Sequence, residues 1–214
     1  MKRRHFLTLS ASTIGGVLVY SLDRKASRIS AQDKPVRVPL RFFDEREALI
    51  VAAAASRIFP SDESGPGANE AGVVVYIDRQ LAGPYGRDRH RYTHPPFESG
   101  PPELGYQGEA TPREIYREAL GKLSGFDRLG TAKQDEVLKG IESSHFFSLL
   151  RQHTIEGMFC DPIHGGNANM IGWQLVGFPG PHMSYYDDVD KHFGVAFRPK
   201  PVSLPEGHPS EDEG

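Results

Sequence analysis

Residues 144–181 read SHFFSLLRQHTIEGMFCDPIHGGNANMIGWQLVGFPGP, and the texture of the chain changes at Cys160. Upstream, Phe146, Leu149, Leu150 and His153 share one helical face and Phe147, Leu150 and Thr154 another, which predicts a helix over about 145–158. Downstream, residues 160–181 hold five glycines, the only cysteine, the only tryptophan and two asparagines, and read as a shaped loop. Gly165, Gly166 and Asn167 suit backbone with positive φ. Asn167 and Asn169 can bond nearby backbone groups and fix turns. Gly172, Gly177 and Gly180 let backbone approach backbone. Trp173, Phe178 and Met183 are apolar anchors that can cover the end of the preceding helix or face another protein.

Outward from this stretch the same alternation of helix and loop recurs. Asp44 is a suitable N-cap for a helix over Glu45–Ile58, with acids in its first turn and Pro60 beyond its end. Val73, Val74, Ile77 and Leu81 recur at helical spacing, which predicts a second helix from Asn69 or Glu70 to Leu81. Thr111, Pro112 and Glu114 form the start of a third, running to about Leu123. Thr131 and Gln134 repeat that device for a fourth. A short helical stretch is expected over 185–192. Between these, residues 83–111 form a long Pro-, Gly-, His- and Tyr-rich segment whose aromatic residues favour docking on a surface. With 23 glycines and 17 prolines in 214 residues, the expected fold is mainly α, a small bundle of about five helices with long draped loops. Residues 32–196 make its single domain, and 197–214 an extended or disordered tail.

Residues 1–31 have the layout of an export signal: a basic start, a mildly apolar run and a small residue, Ala31, before the mature chain. Arg3 and Arg4, followed by Phe6 and Leu7, match a twin-arginine signal, which exports folded cargo and predicts a periplasmic protein that meets the twin-arginine translocase. Six of the 25 basic and one of the 28 acidic residues lie in this segment, leaving a mature net charge of −8. An acidic chain without a basic stripe argues against nucleic acid as a partner. A single cysteine permits no disulfide within the chain.

Three chemistries deserve weighing. His153, Asp161 and His164, with Glu156 one turn from His153, could converge on a metal and give a self-contained exported hydrolase, although no helical His-Glu motif supports it. His145 lies in the same segment. Cys160 near His164 could form a thiol pair, but no cysteine-enzyme signature surrounds it, and a lone cysteine also serves as a small buried hydrophobe. No nucleotide-binding glycine motif follows a strand in the mature chain.

The blocks Phe146-Phe147, Thr154-Ile-Glu-Gly157-Met-Phe159, Pro162, Gly165-Gly166-Asn167, Gly172-Trp173 and Gly177-Phe178-Pro179-Gly180 occur in that order. Together with residues 58–83, they resemble the gluconate 2-dehydrogenase subunit 3 family. His164 stands where that family more often carries an aromatic residue. The resemblance implies a small, non-catalytic subunit of a membrane-associated FAD-dependent sugar or polyol dehydrogenase. Its partner would be a large flavoprotein of the glucose-methanol-choline type, holding FAD and leaving the cytoplasm with the small subunit. A cytochrome c subunit with haem c can complete such a complex. His164, Gly165, Gly166, Asn167, Trp173, Phe178, Pro179 and Gly180 are then the expected partner interface. Within it, His164 or Asn167 would be placed to reach the partner's flavin cavity.

Overall fold

The computed structural model describes residues 19–20, 38–91, 94–98, 100–181, 188 and 190–204. Two short strands, β1 (Val19–Tyr20) and β2 (Val38–Pro39), pair antiparallel, with Val19 opposite Pro39 and Tyr20 opposite Val38. The former lies in the segment read as export signal; Arg3, Arg4 and Met183 fall outside the described residues.

Local sequence starts the helices. In α1 (Glu45–Ile58) Asp44 accepts from the Glu47 N–H at 2.9 Å, and Glu47 accepts from the Asp44 N–H at 3.0 Å, so each satisfies a donor the helix cannot. Thr111 and Glu114 close the same reciprocal pair ahead of α3 (Pro112–Lys122). Ser144 caps α5 (His145–Phe159) through the Phe147 N–H. The expected device at Thr131 and Gln134 is not used. In α4 (Thr131–Gly140) Gly130 is the N-cap, and the buried Gln134 amide donates instead to the Phe126 carbonyl at 3.1 Å. The second helix, α2 (Val73–Ala82), starts later than Asn69 or Glu70. Residues 68–72 are turns, Gly72 has φ of 70°, and the Glu70 carboxylate accepts from Ser61 and Gly67 to hold that turn. A sixth helix, α6 (Ile171–Val176), lies inside the stretch read as loop. The helix expected over 185–192 falls largely outside the described residues, and 190–194 form turns.

Packing explains which faces go inside. The alanines of α1 (Ala48, Ala52, Ala54, Ala55) are buried and let neighbouring helices come close. α2 packs against both α1 and α5, which makes it nearly all buried, including Val73, Val74, Val75, Tyr76, Ile77 and Leu81. Where it meets α5, Gly157 faces Val73 and Tyr76, and a Cβ there would sit 3.2 Å from both side chains, so that a neighbour would have to give way. Fully buried Tyr116, Phe126, Leu150 and Met158 fill the remaining core. The long segment after α2 docks on the body as its aromatic content suggests: Tyr106 stacks on His145 with centroids 4.0 Å apart.

Asp78, 1% exposed, fastens the lead-in to this bundle. Its two carboxylate oxygens accept from the backbone N–H groups of Arg41 at 2.7 Å and of Phe42 and Phe43 at 2.9 Å. An amide at this place would set an NH2 group against one of those donors. Asp78→Asn is therefore expected to lower the free energy of unfolding by about 2 kcal/mol. Urea unfolding reads this directly, and an unchanged midpoint would show that the lead-in is held elsewhere.

Candidate functional site

The shaped stretch begins where α5 stops. Asp161 accepts from the Ile163 N–H at 3.0 Å and starts a 3-10 turn over Pro162–His164. The same carboxylate also holds the tail: the Ser203 hydroxyl donates at 2.6 Å and the Leu204 N–H at 3.0 Å. Burial works against the charged form, but these hydrogen bonds outweigh it and hold the Asp161 pKa below its ordinary value.

Asn167 is the hub of the stretch. It is 0% exposed with φ of 46°. Its amide donates to the Cys160 carbonyl and accepts from the Gly172 N–H, each at 2.8 Å, while its own backbone N–H donates to the Gly157 carbonyl at 2.7 Å. These bonds set α6 across the end of α5. There the Trp173 indole N–H caps the Phe159 carbonyl at 2.7 Å, and Phe178 packs edge-on against the indole at 5.2 Å. Gly172 touches the Met158 carbonyl, where any side chain would collide. Gly165 has the positive φ expected of it, 98°. Gly166 does not: it is glycine because a Cβ there would strike the Gly157 carbonyl.

The residues proposed as an interface therefore divide by depth. Gly166, Asn167, Trp173 and Gly180 are buried within this chain. Asn167 has no surface to offer a partner's flavin cavity, because its amide is committed to Cys160 and Gly172. Gly165 and Pro179 are half-buried, and the Pro179 carbonyl accepts from the Val202 N–H of the tail. His164 and Phe178 face outward, with Ile163, Val176 and Leu204 as further exposed apolar or neighbouring side chains along the turn, α6 and the tail.

His153, Asp161 and His164 are not assembled as a metal site. Both His153 ring nitrogens are engaged, Nε2 with the Tyr85 hydroxyl and Nδ1 with the Tyr116 hydroxyl, each at 2.8 Å. Asp161 is turned to the tail, and His164 is exposed. Among the described residues no group of three or more His, Cys, Asp or Glu side chains is placed to hold a metal ion. Cys160 is half-buried, and burial pushes its thiol up to about 11, so it stays protonated at neutral pH rather than acting as a nucleophile.

A polar cleft of about 210 Å³ lies over His153, lined by Tyr76, Gln80, Tyr85, Gln152, His153 and Glu156. The Tyr76 hydroxyl donates to Glu156 at 3.0 Å, and the Gln152 amide donates to its other oxygen at 2.8 Å. Burial first, then the Glu156 charge, raises the Tyr85 phenol to about 12 and lifts that of Tyr76 further. His153 goes the other way, to about 4, because burial disfavours its cation more than Glu156 favours it. The four-residue spacings Tyr76/Gln80 and Gln152/Glu156 place each pair on one helix face and are legible in the sequence. Tyr85 enters from a 3-10 turn after α2, and no local pattern announces it.

No curated protein and no solved structure matches the chain. The family model described as gluconate 2-dehydrogenase subunit 3 matches residues 45–180, from the first turn of α1 to the end of the shaped stretch. That match takes in α1 to α6, the six α-helices of the described residues, with the Asn167 hub and the cleft, and the chain belongs to the gluconate 2-dehydrogenase subunit 3 family.

Proposed function

We propose that this chain is the non-catalytic small subunit of a membrane-associated, FAD-dependent sugar or polyol dehydrogenase. It binds the folded flavoprotein, stabilises it, and carries it through the twin-arginine pathway to the periplasm on its own signal, Arg3 and Arg4 included. FAD belongs to the large subunit, and haem c to a cytochrome subunit where one is present. The observation that carries this reading is the family match over residues 45–180, whose description is that of a dehydrogenase subunit. The site geometry supports it. The polar groups of the shaped stretch are used internally, while His164, Ile163, Val176 and Phe178 stand on its outside. Binding acts by linkage: a subunit that binds only the folded flavoprotein stabilises that state.

Tagged purification of the full chain from its native periplasm and membrane tests the proposal. A larger chain is expected to co-purify in stoichiometric amount, with the absorption spectrum of a flavin that stays with that chain on dissociation. A colourless monomer would overturn the reading.

A further inference from the structure

We infer that the cleft between α2 and α5 is a socket for a guanidinium or ammonium side chain of the flavoprotein partner; the inference rests on the subunit reading above. The cleft, about 210 Å³, has room for an arginine side chain. Its internal hydrogen bonds converge on its one carboxylate. Tyr76 and the Gln152 amide both donate to Glu156, while Tyr85 and His153 satisfy each other. What remains open is the spare lone pairs of both Glu156 oxygens, the Gln152 carbonyl and second N–H, the Gln80 amide and the exposed ring of Tyr85. The lining holds one carboxylate and no Lys or Arg, so a ligand that donates to Glu156 fits and an anion does not.

Charge narrows the choice to a cation. Glu156 is half-buried, and among the described residues it takes part in no salt bridge. A half-buried carboxylate held rigid by two neutral donors gains most from a cation, and the exposed Tyr85 ring adds to that attraction. The occupant is assigned to the partner protein because the mature chain carries a net of −8, so a basic patch is its complement. Arginine suits the site best, since its planar fork can reach both carboxylate oxygens while stacking on a ring.

Two variants in the co-expressed complex test this. Glu156→Gln keeps the shape and removes the charge. Gln80→Lys, on the wall of the cleft, leaves Glu156 intact and offers it an internal ammonium. Each is expected to weaken the complex about thirtyfold and to flatten the dependence of Kd on NaCl, with helix content and thermal midpoint preserved. Wild-type affinity and salt dependence in both variants would overturn the socket and leave the subunit reading standing. Failure of the wild-type chain to capture any flavoprotein would overturn both.

Discussion

Asn167→Ala is expected to lower the free energy of unfolding by about 4 kcal/mol, enough to leave much of a marginally stable chain unfolded. The substitution strands two buried backbone groups, the Cys160 carbonyl and the Gly172 N–H, that the side chain satisfies at 2.8 Å each. Each unsatisfied group costs about 1–3 kcal/mol. Alanine must also hold the left-handed backbone at φ 46°, which asparagine tolerates better, at about 1 kcal/mol more. Asn167→Gly separates the two causes, because glycine keeps the conformation and loses only the bonds. Urea unfolding should place glycine about 1 kcal/mol above alanine, with both well below wild type. A loss under about 1 kcal/mol for alanine would mean that α6 is held by packing of Trp173 alone. The functional consequence follows from position. Release of α6 frees Trp173 from the Phe159 carbonyl, and with it Phe178, so the outer face of the stretch loses its shape before any partner is met.

Features written within one turn of chain were legible in the sequence, and features that depend on a distant partner were not. The reciprocal caps at Asp44/Glu47 and Thr111/Glu114 form because three residues suffice to make them. Thr131 and Gln134 show the same letters without the same outcome. The Phe126 carbonyl, brought close by the turn before α4, offers Gln134 a buried partner that the cap cannot match. Helix α2 starts late because Gly72 takes the left-handed conformation after a turn held by Glu70, where the hydrophobic period alone gives no boundary. At six residues α6 is too short to nucleate itself. It exists because Asn167 and Trp173 tie it to the end of α5. The glycines of the stretch signal close backbone approach, but the sequence does not say which backbone: the Gly157 carbonyl for Gly166 and the Met158 carbonyl for Gly172. The candidate cleft shows the same limit. Glu156 and Gln152 can be paired from spacing, whereas Tyr85 and Tyr116 reach His153 across 68 and 37 residues.

His153 should make the chain sensitive to mild acid. Inside the fold its pKa is lowered to about 4, chiefly by burial, with Glu156 partly opposing. In the unfolded chain an ordinary histidine titrates near ~6.5. As pH falls through that value the unfolded chain takes up the proton first, so unfolding is favoured. Stability from this group is therefore full above about pH 6.5, falls between about 6.5 and 4, and loses nothing further below. The whole step is worth about 3 kcal/mol. Urea unfolding at pH 7.5 and 4.5 should reveal most of it, and a flat profile would mean that the imidazole is charged inside the fold. The hydrogen bonds give the reason it is not. A neutral ring donates through one nitrogen and accepts through the other, matching one tyrosine hydroxyl that accepts and one that donates. A protonated ring donates through both, and the fully buried Tyr116 hydroxyl is then left with a proton and no acceptor. His153→Gln should flatten the profile across this window at some cost in stability at neutral pH. Glu156→Gln should act in the opposite sense: it removes the charge that favours the imidazolium, so the loss on acidification deepens and extends to lower pH.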